Sequence, residues 1–193
     1  MIAEASETAL FRIVGFQNIV FYIPRQGERS LPIGDNGGMT HHLAQLNIAR
    51  LTHPLDHPAI AEFVDGLDGI NHLAESSPGF VWRLKTESGN ATDAQHPWSD
   101  DPFLLVNMSV WHTPQDLKNY VCRSEHLDFY LKRSQWFEKP SQAHYVLWWI
   151  PAGHTPTVEE AKQRLDHYRA HGATHHAFWF GKLFPAPEPA MAG

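Results

Sequence analysis

Between His41 and Leu51 apolar and polar positions alternate. Ala44, Leu46 and Ile48 fall on one face and Gln45 and Asn47 on the other, the period of a half-buried strand. A Pro/Asp/His loop follows from Thr52 to Pro58, with Asp56 placed as a helix N-cap. Ile60, Phe63, Val64, Leu67, Ile70 and Leu73 or Ala74 then recur at helical spacing until Pro78-Gly79 stops the helix. Phe80, Trp82 and Leu84 alternate with Val81, Arg83 and Lys85, which predicts a second strand. Glu87 to Asp101 is rich in Ser, Gly, Asn, Asp and Pro and reads as a loop.

Phe103 to Trp111 is a third, apolar strand. Thr113-Pro114-Gln115-Asp116 opens a helix, with Thr at the N-cap, Pro at the first helical position and Asp in the first turn. The pattern carries that helix to Trp136 or Phe137, ahead of Pro140, either unbroken or with a break. His144 to Ile150 is a fourth strand, ended by Pro151-Ala152-Gly153. Thr155-Pro156 or Thr157 opens another helix, and Thr157 and Glu160 have capping-box spacing. Behind them Val158, Ala161, Leu165 and Tyr168 form one stripe, and Gly172 fits a C-terminal cap. His176 to Leu183 predicts a final strand.

The first six elements have the order of a ferredoxin-like βαββαβ unit, an α+β fold, extended by a C-terminal helix and strand. The expectation is that Ala44, Leu46, Ile48, Leu104, Val106, Met108 and Val110 meet the helices. Gln45, Asn47, Leu105, Asn107, Ser109 and Trp111 then face the other way, joined by either Trp148 or Trp149. That second face is too apolar to leave in water. A second copy packed sheet to sheet is the expected cover, giving a homodimer whose two sheets close into an α+β barrel.

The domain is expected to span residues 39–184, with 185–193 a flexible tail. Residues 1–38 read differently: an apolar run, then the loop-like Pro32 to Gly38. Two readings stand for them. Met39 is the natural start, and the preceding Asn-Gly-Gly codons are a translated ribosome-binding site. Alternatively, the extension is real and adds a strand or covers a sheet edge.

Composition narrows the class. A chain of 193 residues suits one domain and folds without a staple. A net charge of −6 argues against a nucleic-acid partner. The single cysteine, Cys122, excludes an intramolecular disulfide and a Cys-based zinc site, and it reads as a small helix residue rather than a reactive thiol. The apolar stretch Leu10 to Ile23 is broken by Arg12, Gln17 and Asn18, and Glu4 and Glu7 precede it. It makes neither a membrane span nor a signal peptide, so the expected location is cytoplasmic. Of the 14 histidines, His53/His57 and His167/His171 stand four apart, and His41-His42 and His175-His176 are adjacent. With no HExxH and no third ligand at a diagnostic spacing, no metal site is expected. Gly-x-Ser-x-Gly, Walker A and dinucleotide motifs are absent.

Two groups of residues carry candidate chemistry. On the strands, Asn47, Asn107, Trp111 and Trp149 would line an aromatic pocket with a few convergent amides. On the second helix, Arg123, His126, Tyr130 and Arg133 share a face at spacings of three, four and three. An imidazole between guanidinium groups tends to stay neutral, which suits His126 as a general base or a haem axial ligand. Arg123 and Arg133 would hold a carboxylate or a haem propionate. His126 and Arg133 are therefore the catalytic candidates, with Asn47, Asn107, Trp111, Trp149, Arg123 and Tyr130 on the substrate.

A family resemblance rests on text between Met108 and Phe180. It comprises Ser109-Val110-Trp111, Tyr120, Arg123-Ser124, His126, Arg133, Trp136-Phe137, Leu147-Trp148-Trp149, Gly153, Pro156, Glu160, Arg164-Leu165, Gly172 and Ala177-Phe178 with Phe180. Leu43-Ala44-Gln45-Leu46-Asn47 fits as well. This pattern resembles the bacterial DUF3291 family, a domain of unknown function. His112-Thr113 stand where that pattern has Glu-Ser. The resemblance implies the dimeric α+β barrel superfamily, which holds antibiotic-biosynthesis-type monooxygenases and haem enzymes such as chlorite dismutases. The expected function is a monooxygenase-like enzyme acting on a hydrophobic or aromatic small molecule, either without a cofactor or with haem. The alternative is a non-catalytic small-molecule binding protein.

Overall fold

The computed structural model describes residues 40–92, 97–98, 100–122 and 132–188. The elements in chain order are β1 (His41–Arg50), α1 (Ala61–Glu75), β2 (Phe80–Arg83), β3 (Leu104–Trp111), α2 (Pro114–Val121), β4 (Tyr145–Pro151) and α3 (Val158–His171). The four strands form one sheet in the order β2-β3-β1-β4, and every neighbouring pair is antiparallel. That is the strand order of the ferredoxin-like unit, to which α3 is added.

The start signals act as their chemistry requires. Thr113 Oγ1 accepts the Asp116 N–H at 3.1 Å, and Pro114 stands where no backbone donor is needed. Thr157 Oγ1 accepts the Glu160 N–H at 3.1 Å to open α3. Gly172, at φ 71°, closes it with an N–H to the Tyr168 carbonyl at 2.9 Å, in a backbone region costly for other residues.

Two expectations about elements are corrected, and an alternative left open for the second helix is decided. Asp56 does not cap α1. His57 Nδ1 instead accepts the Ala59 N–H at 3.1 Å and caps a 3-10 turn, Pro58–Ile60, that runs directly into α1. Pro58 presets that turn. For the second helix the alternative with a break holds: α2 ends at Val121, where the Cys122 N–H closes the last turn on the Lys118 carbonyl, and a separate 3-10 turn occupies Arg133–Gln135. The final strand is reduced to one bridge, Phe178 against Leu147. Thr174 and Ala177, and Trp179 and Lys182, pair with each other, so this segment folds its hydrogen bonds back locally instead of extending the sheet.

The faces of the sheet are also the reverse of the expectation. Ala44, Leu46, Ile48, Val106, Met108, Val110, Val146, Trp148 and Ile150 pack against α3 through Ala161 and Leu165. α1 and α2 lie on the other face. Ala74 and Leu117 reach Leu43, Trp111 and Leu147, while Phe63 and Trp136 reach Leu105. Alternation along a strand sorts residues into two faces but does not say which face the crossover helices take. That is set by the handedness of the β1-α1-β2 connection. The second apolar face therefore has a cover from within the chain, α3, where a second copy was expected.

Candidate functional site

Strand register builds the face beneath α1 and α2 in rows. Leu43 lies between Trp111 and Trp149, Gln45 between Ser109 and Leu147, and Asn47 between Asn107 and Tyr145; Ala49 stands opposite Leu105. All of these residues have the same parity, so their side chains leave the sheet together. Apolar rows thus enclose a polar band. Above the band, between sheet and helices, is a cavity of about 240 Å³. Phe63, Leu67 and Ile70 of α1, Tyr120 and Val121 of α2, and Trp136 and Phe137 supply apolar walls. Arg83, Asn90, Thr92 and Arg133 also line it.

A short hydrogen-bond chain fixes the floor. Trp111 Nε1–H donates to Ser109 Oγ at 2.8 Å. Gln45 Nε2 donates to that same oxygen at 3.1 Å and to Asn107 Oδ1 at 2.9 Å. Both amide hydrogens of Gln45 are used, and Asn107 is held with its oxygen toward Gln45, which leaves its NH2 group to donate elsewhere. Trp111 also stacks on Tyr120, with ring centroids 5.0 Å apart. The Tyr120 hydroxyl donates to the Ile70 carbonyl at 3.4 Å, tying α2 to α1.

Tyr145 differs from these groups. Its side chain is buried, it lines the cavity, and its hydroxyl has no hydrogen-bond partner among the described residues. Burial pushes its phenol well above the ordinary range, so it is a neutral O–H donor across the physiological pH range. A buried hydroxyl left unpaired costs about 1–3 kcal/mol. Burial likewise raises the Tyr120 phenol, against a smaller opposing effect of Arg83. Arg83 donates from Nε to Glu75 Oε1 at 2.9 Å. No Asp, Glu or His is among the described residues that line the cavity. The site is therefore rich in donors and contains guanidinium groups, and it has no ordinary general base among those residues.

Of the residues proposed from sequence, Asn47, Asn107 and Arg133 line the cavity together. Trp111 does not line it but donates to Ser109, which does. Trp149 shares the face but not the cavity, and its Nε1–H donates to the Phe184 carbonyl at 2.9 Å. Trp148 takes the opposite face, with its Nε1–H on Glu160 Oε1 at 2.9 Å. Arg123, His126 and Tyr130 lie outside the described residues, as do residues 1–39 and the two readings of the N-terminal segment. Tyr145 was missed, although its parity with Leu147 and Trp149 placed it on the amide-bearing face.

His167 lies with its ring centroid 4.6 Å from His171 and 4.7 Å from His176, but its Nε2 bonds Thr174 Oγ1 at 3.0 Å. No group of three or more His, Cys, Asp or Glu among the described residues is arranged to hold a metal ion. No histidine is among the described residues that line the cavity, and His126, the candidate haem axial ligand, lies outside the described residues. No helix among them is long and apolar enough to cross a membrane.

The family described as Domain of unknown function (DUF3291) matches residues 42–192. No curated protein matches the chain. Among solved structures, a protein described as "Putative antibiotic biosynthesis monooxygenase from Nitrosomonas europaea" is 14% identical, covering 60% of this chain and 91% of its own at a TM-score of 0.38. SnoaB, a cofactor-independent oxygenase from Streptomyces nogalater, is 14% identical, covering 60% and 96% at 0.37. Rv0793 from Mycobacterium tuberculosis is 12% identical, covering 60% and 99% at 0.40. At these identities and scores the likeness carries no argument about activity. The family match spans most of the chain, and the chain belongs to the DUF3291 family.

Proposed function

We propose that this member of the DUF3291 family is a monooxygenase-like enzyme whose substrate, a hydrophobic or aromatic small molecule, lies between the sheet and helices α1 and α2. One observation carries this reading: the row Asn107, Asn47 and Tyr145 crosses three strands at the floor of an otherwise apolar cavity. Mostly apolar walls with a few placed polar groups are the usual construction of a small-molecule site. The volume suits one or two fused rings rather than a large cofactor.

The donor-rich floor favours a substrate oxygen that gains negative charge, which is the electrostatic help a phenolate or enolate needs. No carboxylate or imidazole among the described residues lines the site, which suits a substrate that itself loses a proton readily, as a phenol or quinol does. Its electron-rich ring carbon would then meet dioxygen. One oxygen atom enters the ring as a carbonyl in place of two hydrogens, and the other leaves with those hydrogens as water.

Oxygen consumption with a panel of monocyclic and bicyclic phenols and quinols tests this. Uptake that depends on the protein and falls at least tenfold in Asn107→Leu is expected. Binding without uptake would leave a non-catalytic ligand carrier. The homodimer belongs to the same proposal, but its contact surface would lie away from the α3-covered face. A monomer mass throughout sedimentation at micromolar concentration would remove it.

A further inference from the structure

We infer that Tyr145 selects the ligand of this cavity, donating its O–H to a carbonyl or phenolic oxygen that the ligand must present toward the sheet. The inference rests on the cavity being a small-molecule site and goes further, because it names the required group and the residue that reads it. Tyr145 is held against Phe180, ring centroids 6.2 Å apart and nearly parallel. Tyr145 lines the cavity, and its hydroxyl is buried and meets no partner among the described residues. Its cross-strand neighbour Asn47 also makes no side-chain hydrogen bond among the described residues, although in the next row both amide hydrogens of Gln45 are used, one of them on Ser109.

The polarity of the subsite follows from its groups. A neutral phenol inside an apolar wall donates one hydrogen bond and is a poor base. The Asn107 amide, turned by Gln45, presents N–H groups on the same row. Such a row complements an acceptor oxygen. A hydrocarbon of equal shape would fill the walls and leave the phenol unpaired, and a site built around a hydrogen bond discriminates against ligands that lack its partner.

The test uses a matched pair, the ketone α-tetralone and the hydrocarbon tetralin, with affinity read from protein tryptophan fluorescence and confirmed by calorimetry. The full-length protein is expected to favour the ketone by about tenfold, the scale of one neutral hydrogen bond. Tyr145→Phe should bring the preference to within twofold while tetralin binds as before. Its melting temperature should be equal or higher, because the hydroxyl it removes has no partner. A ketone preference that survives in Tyr145→Phe overturns the role of Tyr145 and leaves the pocket standing. A lower melting temperature in the ligand-free variant also overturns it, since the hydroxyl would then be bonded within the protein. Failure of both compounds to bind at millimolar concentration removes the small-molecule reading itself, and this inference with it.

Discussion

On the α3 face of the sheet, Ala44, Leu46, Met108, Val110, Val146 and Trp148 are each at most 1% exposed, and the Trp148 N–H is satisfied by Glu160. On the α1/α2 face, the alternate residues of the same strands include Gln45, Asn47, Asn107, Ser109 and Tyr145, and a cavity remains above them. Around Trp148 the first face is filled with side chains that fit each other, and its own smaller cavity, about 180 Å³, lies only at the far end beside Ile48, His144 and Arg169. The other keeps space and unpaired donors, which stability alone would not select, because a filled core gains dispersion contacts and avoids unpaired polar groups. Where a small domain gives up packing, its function is the first thing to look for. The helices differ accordingly. α3 presses Ala161 and Leu165 onto the sheet, while α1 and α2 touch it at the ends of the polar band, through Phe63 with Leu105 and through Leu117 with Trp111.

The contrast can be broken by substitution. Trp148→Ala, on the filled face, should lower unfolding free energy by about 3–5 kcal/mol in a urea titration. A loss as small as that of a cavity-face substitution would show that the α3 face is not the main core. Glu160→Ala takes the acceptor from Trp148 Nε1 and the partner from His154 Nε2, 2.7 Å away, with Arg164 3.7 Å away. A cost of about 1–3 kcal/mol is expected, mainly from the unpaired indole N–H. A neutral outcome would mean that α3 is held by Ala161 and Leu165 alone.

Acid should act on the α3 side as well. His144 is buried, and burial above all, opposed by a hydrogen bond with the Gln142 backbone and helped by Arg169 and Arg133, holds its pKa below the ordinary 6.5. His176 is lowered the same way, by burial and then by Arg164 and His167, and its Nδ1 meets Arg164 Nη1 at 2.6 Å. The unfolded chain therefore takes up protons first as pH falls. The contribution of these groups is complete above 6.5 and is lost as pH drops through their lower folded values. His144→Gln should flatten part of that decline in pH-dependent melting; a decline identical to the wild type excludes His144 as a source. The smallest effect belongs to the cavity face. Asn47→Ala should change stability by less than about 0.5 kcal/mol, because no described group bonds the side chain. It should still weaken α-tetralone binding several-fold, and a large stability loss would show that Asn47 is part of the core.

Much of the framework was legible because it depends on local chemistry. Thr113-Pro114 and Thr157 with Glu160 marked helix starts that the hydrogen bonds then make. Ala44, Leu46 and Ile48 marked one face by parity alone. Asn47 and Asn107 were read as facing the same way, and they line one cavity. Asp56 misled because a competing cap, His57 ahead of Pro58, lay one residue closer to the turn. The last strand misled because an apolar run signals burial, which Phe178 achieves with a single bridge.

What the sequence determined by itself is the period of each segment, the caps, the partition of every strand into two faces and the family text, since all of these are carried by neighbouring residues. Only the tertiary structure decided which face α1 and α2 take, that α3 closes the other, and that Tyr145 stands unpaired beside Asn47. Those facts depend on crossover handedness and on register between strands distant in the chain, from Asn47 to Asn107 and Tyr145. No local pattern encodes that pairing, and the candidate site is made of it.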